Sequence, residues 1–286
     1  KQGMKWLLKN MDKDDKNILS TSFLIDNCNY AYEAWDNTPW GRVDESLFLE
    51  YVLPFSSLNE RRDNWRQDFY ERFFPIVKNA KSAYEAAAIL NNNIFEMVGV
   101  IYSTKRPKAD QSPYESIDAG LASCTGLSFM LIDACRSVGI PARFVGTPMW
   151  YNNSGNHSWV EIWDNGWHFT GAFEPTGDRL NEGWFASLAA RAVEGHPEYG
   201  IYAATWKKTG VFFPMDWKPG IEKYYAYDVT SSYQKYLGDK FVPLRIKVVG
   251  RNGMRKKVLV DVRADDGFMF SGYSNDERND ANDHLT

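Results

Sequence analysis

Cys124, His157 and Glu174 are the residues of this chain whose types and order could carry out nucleophilic chemistry. A free thiol titrates near ~8.5, and the first turn of a helix, with its unpaired N–H groups and positive dipole end, favours the thiolate form. A neighbouring imidazole then holds that thiolate as an ion pair, and a carboxylate can orient the imidazole. Ser123-Cys124-Thr125-Gly126 sets the cysteine where a turn gives way to a helix. Leu127, Met130, Leu131, Ala134, Cys135 and Val138 follow at helical spacing and define one buried face. Cys124 falls near that face, so its sulfur is expected to point inward. Gly139 stops the helix, Pro141 prevents its resumption, and Ala142 to Gly146 read as a short strand.

The elements around His157 are legible from a second period. His157, Trp159, Glu161 and Trp163 alternate with Ser158, Val160 and Ile162 as a strand does, and Asn165-Gly166 is a strong hairpin signal. A two-residue turn there sets Asp164 against Trp167, His168 against Trp163, and Glu174 directly opposite His157, within reach of the imidazole. Gly171 is the weak point of that register, because a bulge would bring Phe173 or Pro175 opposite His157 instead.

These residues together resemble the transglutaminase-like superfamily: the helix-borne Cys124, the Gly139 to Arg143 stretch, the His157-Ser158-Trp159 strand and the Gly166-Trp167 return. The superfamily holds transglutaminases, peptide N-glycanases and bacterial cysteine peptidases. The resemblance implies an α+β, papain-like core in which a helix-borne cysteine packs on an antiparallel sheet. It spans Ser116 to Thr176. In the family the third catalytic residue is usually an aspartate four residues beyond the Gly-Trp tryptophan. That place is Gly171 here, and Glu174-Pro175-Thr176 resembles a displaced Asp-Pro-Thr. The nucleophile and base therefore carry over to Cys124 and His157, and the third role to Glu174 with an insertion.

Other candidate residues have structural readings. Cys28 and Cys135 read as buried small hydrophobes, and His168, His196 and His284 as hydrogen-bonding structural residues. No CxxC or HxxxH spacing indicates a metal site, and no cofactor is implied. The 33 basic and 37 acidic residues leave a net charge of −4 without a long basic run, which argues against nucleic acid and anionic membranes as partners. No apolar run approaches the ~20 residues of a membrane span. The three cysteines do not form a disulfide framework. Asn152-Asn153-Ser154 and Asn156-His157-Ser158 match the glycosylation pattern, yet a glycan on Asn156 would crowd the base. The chain begins at Lys1, which fits removal of a leader or trimming; a bacterial exported protein, periplasmic or at the cell surface, is the expectation.

Three regions are expected: a helical N-terminal region over 1–106, a catalytic region over 107–239, and β-strands over 240–286. In the first, a run opening at Asn59 carries Trp65, Phe69, Phe73 and Ile76 with Arg61, Arg62 and Glu71 on its solvated face, and Ser82 caps a helix through Val98. Lys105 to Pro113 reads as a linker, and Glu182 to Val193 as a helix. In the last region Val242 to Val248, Val258 to Val262 and Phe268 to Tyr273 alternate as a β-meander, or the start of a β-sandwich, before a polar tail.

The chemistry that fits is acyl transfer through a thioester, with a peptide, protein or glycopeptide as substrate. Hydrolysis is the default outcome, because transfer to an amine requires a site that excludes water. Protein-glutamine amine transfer is one alternative, and a non-catalytic carbohydrate- or peptide-binding module, suited by 11 tryptophans, is another. Trp150, Tyr151 and Trp159, which flank the base, are the candidate substrate contacts.

Overall fold

The structure, a computed structural model, describes residues 1–236, 246–263 and 269–274. Helices open the chain. Of Gln2–Asn10 (α1), Lys13–Ile18 (α2), Thr21–Asp36 (α3) and Glu45–Tyr51 (α4), the first, third and fourth bury an apolar cluster around Leu7, Leu24, Ala31, Phe48 and Phe55. Polar caps start α2 and α3: Asp12 accepts from the Asp14 N–H, and Ser20 from that of Phe23 at 3.1 Å. Arg66–Val77 (α5) begins later than its period suggested, because the Glu60 carboxylate folds back onto the N–H groups of Ser57 and Leu58. Arg62 is not on a solvated face either. Its side chain is 9% exposed and paired with Asp15 at 3.0 Å. Ala83–Val98 (α6) is capped by Ser82 as expected.

Ile101–Tyr102 (β1) pairs in parallel with Leu121–Ala122 (β2), around Pro113–Ala119 (α7) and its Ser112/Glu115 capping box. The intervening stretch is docked rather than a free linker: Asp110, Gln111 and Ser112 are buried. Cys124–Ser137 (α8) follows and is buried along its whole length. Gly139, at φ +85°, ends it; a Cβ there would lie 2.4 Å from Thr38 Cγ2 and 2.8 Å from the Ala34 carbonyl, so α3 packs where only glycine fits.

Ala142–Thr147 (β3), His157–Trp163 (β4) and Trp167–Thr170 (β5) are joined, after the short helix Ala186–Ala189 (α9), by Tyr202–Thr205 (β6) and Tyr225–Asp228 (β7). They form one antiparallel sheet in the order β5-β4-β3-β6-β7. Strand alternation divides its side chains between two cores. Phe144, Val160, Ile162 and Ala204 pack with α5, α6 and α8. Val145, Trp159, Phe169 and Ala203 pack with Phe185, Leu188 and Tyr233, the last on Thr230–Tyr233 (α10). The fold is thus α+β, with the cysteine-bearing helix against an antiparallel sheet.

Two buried guanidinium groups tie the N-terminal helices to this core. Arg66 donates to the carbonyls of Leu53 at 2.8 Å and Pro54 at 2.9 Å, and Arg136 of α8 to those of Ser56 and Ala142, both at 3.0 Å. Carbonyl acceptors are what a buried arginine needs in place of water.

The expected helix over 182–193 reduces to α9. Beyond Ala190 the N–H groups of Arg191 and Ala192 bond three residues back, and that of Val193 bonds the Tyr199 carbonyl, so the chain tightens into turns. Leu259–Arg263 (β8) and Met269–Tyr273 (β9) pair as an antiparallel hairpin. Val242, Leu244, the Asp265-Asp266-Gly267 turn, Phe268 and the tail from Asn275 lie outside the described residues.

Candidate active site

The sulfur is positioned first. Cys124 is the opening residue of α8, and Ser123 is its N-cap, accepting the Gly126 N–H at 3.1 Å. The same hydroxyl donates to the Ala109 carbonyl at 2.6 Å, which ties the helix start to the docked 103–112 stretch. The N–H groups of Cys124 and Thr125 have no partner within the helix and supply positive potential beside the sulfur. Cys124 is 7% exposed.

His157 opens β4, paired with Thr147 of β3. The residues next to Cys124 and His157 bond each other: Thr125 and Ser158 hydroxyls are 3.2 Å apart, so helix start and strand start are held together. The imidazole sits in an aromatic box, with ring centres of Trp184 and Phe185 at 4.8 Å, Trp159 at 5.7 Å and Trp150 at 6.2 Å.

Glu174 reaches the imidazole by a route other than the expected ladder. The hairpin loop has three residues, because the Asp164 carboxylate turns away to accept the Tyr84 N–H at the start of α6, at 2.9 Å. Trp163 therefore opposes Trp167, and His168 opposes Ile162 rather than Trp163. Continued, that register would set Phe173 against His157. Instead β5 ends at Thr170, and the chain reverses over Gly171 to Glu174, with the Glu174 N–H on the Gly171 carbonyl at 3.1 Å. The turn throws the carboxylate back over Gly171: a Cβ at 171 would lie 2.1 Å from Glu174 Oε2. The carboxylate thus fills the volume that a side chain at 171 would occupy. Glu174 Oε2 lies 3.5 Å from His157 Nε2 and accepts the Trp184 indole N–H at 2.9 Å.

The thiol of Cys124 hydrogen-bonds the imidazole as well. With Nε2 facing Glu174, Nδ1 is the nitrogen left for sulfur. Burial alone would push the imidazole toward its neutral form. The Glu174 carboxylate and the hydrogen bond to Cys124 outweigh it, and the His157 pKa is raised to about 9. The ring is therefore an imidazolium at neutral pH. Burial pushes the Cys28 and Cys135 thiols up.

The structure thus brings Cys124, His157 and Glu174 into one cluster. Of the aromatic candidates, Tyr151 is partly exposed and accepts from Arg191 at 2.9 Å, whereas Trp150 and Trp159 are buried at 1% and 0% exposure. The Trp159 indole already donates to Tyr233, at 2.8 Å, within a buried chain that runs through Glu161 to Arg143. The Trp150 indole N–H has no hydrogen-bond partner among the described residues. His168 is bonded to Asn181 at 2.8 Å and to the Asp164 carbonyl at 3.0 Å, on the sheet face opposite His157.

Residues 72–172 match the family model of the transglutaminase-like superfamily. This stretch resembles a transglutaminase-like core. The match contains Cys124 and His157 and ends two residues before Glu174, at the point where the carboxylate is displaced. The superfamily is one of cysteine-dependent hydrolases and transferases. Among solved structures, a "putative cysteine protease" from Cytophaga hutchinsonii is 18% identical, with a TM-score of 0.36. The matched part covers 46% of this chain and 44% of that one, so this chain spans less than half of that neighbour. No curated protein matches the sequence.

Sequence reasoning missed Trp184, Gly171 in its steric role, and the Thr125/Ser158 contact. Trp184 falls in the segment read as a helix over 182–193, which the structure shortens to α9, leaving Trp184 in the turn before it. Among the described residues, no group of three His, Cys, Asp or Glu side chains is arranged to hold a metal ion, and no helix is long and apolar enough to cross a membrane.

Proposed function

We propose that the transglutaminase-like core is a thiol-dependent amide hydrolase with Cys124 as nucleophile, His157 as acid and base, and Glu174 as the group that orients and charges His157. The observation that supports it most is the shared imidazole: thiol on one side and, 3.5 Å away on the other, a carboxylate that with the thiol raises the ring's pKa to about 9 against the burial of its box. Cys124 Sγ attacks the carboxamide carbon, and the carbonyl oxygen takes the negative charge beside the Cys124 N–H. As the C–N bond breaks, the imidazolium gives its proton to the departing nitrogen, leaving a thioester and a neutral ring. Water then attacks the thioester, His157 takes its proton, and the carboxylic acid leaves with Cys124 restored as thiolate.

Tyr151, which is partly exposed, is assigned the substrate-side surface. Trp150, buried with its ring 6.2 Å from that of His157, is assigned the inner wall of the box. Trp159 is assigned the support of the imidazole from beneath. The test is a peptide-amide library, including glutamine side chains, assayed with wild type and Cys124→Ala, with and without an added primary amine. Amine-independent turnover lost in Cys124→Ala is the expected result. Product formed only with the amine would make the protein a transferase, and no turnover in any arm would favour a binding module.

A further inference from the structure

We propose that Asn91 is a positioning residue for the triad, acting through the Gly171–Glu174 turn to hold the Glu174 carboxylate against His157. The proposal rests on the reading that Glu174 serves His157. Asn91 lies in α6 and is buried at 3% exposure, on the face that carries Ala87 and Ile94. A polar side chain at a core-facing position must find partners. Its side-chain partners are the last residue of β5 and two residues of this turn. Its Nδ2 donates to Thr170 Oγ1 at 2.9 Å and to the Gly171 carbonyl at 2.8 Å, and its Oδ1 accepts the Phe173 N–H at 3.0 Å. The residue thus grips the turn at its first carbonyl and at the N–H just before Glu174.

The turn needs such a grip. Phe173 has φ +65°, a left-handed conformation that a bulky L-residue rarely adopts and that persists only where its surroundings impose it. Its ring is 38% exposed, so core burial does not impose it. An edge contact with Phe95 of α6 at 5.5 Å and the hydrogen bond to Asn91 are what hold it. Asn92 secures the far side of the loop by donating to the Gly177 carbonyl at 2.7 Å. Without Asn91, the Gly171 carbonyl and Phe173 N–H lose their shared partner, Phe173 can relax to a negative φ, and Glu174 is carried off the space over Gly171.

The test compares wild type, Asn91→Ala, Glu174→Gln and the double variant by NMR titration of the His157 ring, with kcat and KM on a peptide amide measured alongside. Asn91→Ala is expected to move the His157 midpoint at least one pH unit down from about 9 toward 6.5 and to lower kcat ~10-fold with KM little changed. Added to Glu174→Gln, it is expected to cause almost no further shift, because the two act on one contact. Should Asn91→Ala fail to fold, Thr170→Val, which removes one of the three ties, is expected to shift the midpoint in the same direction by less than half as much. A folded Asn91→Ala that titrates as wild type, a shift undiminished in the Glu174→Gln background, or an unshifted Thr170→Val would overturn the proposal. A titration shift in a protein without turnover would instead sink the hydrolase reading and leave the positioning role standing.

Discussion

Replacing Glu174 with glutamine removes one charge and little volume, and its effect on His157 follows from the geometry. Unit charges 3.5 Å apart interact by about 5 kcal/mol at an effective dielectric of ~20 and by about 1 kcal/mol in bulk water. The imidazole side chain is 1% exposed and the carboxylate side chain 27%, so the pair sits between these limits. A loss of roughly 1.5–3 kcal/mol corresponds to one to two pKa units. The wild-type profile of kcat/KM should fall on its alkaline side near 9, where His157 gives up the proton needed by the leaving nitrogen. In Glu174→Gln that limb should move to roughly 7–8, and NMR of the ring should report the same displacement. Stability should follow the same sign. The His157 pKa is raised on folding, so its contribution is fully present below 6.5 and is lost as pH rises through about 9. Wild type should therefore lose several degrees of Tm relative to Glu174→Gln between those values. A limb that stays near 9 in the folded variant would show that some other group charges the ring.

Three further outcomes are expected. Gly171→Ala removes no charge, yet its Cβ would stand 2.1 Å from Glu174 Oε2; it should lower the alkaline limb much as Glu174→Gln does, and an unchanged kcat/KM profile would contradict the crowding. The double variant Gly171→Asp/Glu174→Ala returns a carboxylate to the same volume and should recover at least ~10-fold in kcat over Glu174→Ala, which is ~1.4 kcal/mol of barrier; no recovery would show that the carboxylate's location over Gly171 is not what matters. Cys124 and Cys28 are nearly equally exposed, at 7% and 8%, so access alone predicts equal labelling by iodoacetamide. Cys124 should react faster at neutral pH, lose that advantage in His157→Ala, and leave Cys135 the slowest, as peptide mapping can show.

The parts of the site that were legible in the sequence are those set by local rules. Ser123 as a cap, the apolar period of α8 and the Gly139 stop each act within a few residues, and the alternation of β4 is a property of one strand. The error in the hairpin came from a distant helix: the Tyr84 N–H draws Asp164 out of the ladder and adds a residue to the loop. Sequence spacing still led to Glu174, though the structure gets it there by a turn instead of by strand pairing. Arg62 and the shortened α9 were misread for the same kind of reason, since an Asp15 partner 47 positions away and a Tyr199 carbonyl across a loop leave no periodic trace. Asn91 did leave a trace, a polar residue at a core-facing position of α6, whose meaning depends on what packs there.

In the proposed hydrolysis the Cys124 sulfur becomes an acyl carrier. Acid quenching during turnover of an activated peptide amide, followed by mass spectrometry of the Cys124 peptide, tests it most directly. An added acyl mass on that peptide is expected in wild type, accumulating further in Glu174→Gln as deacylation slows, and absent from Cys124→Ala. Turnover that persists in Cys124→Ala, or an acyl group found on another residue, would contradict it.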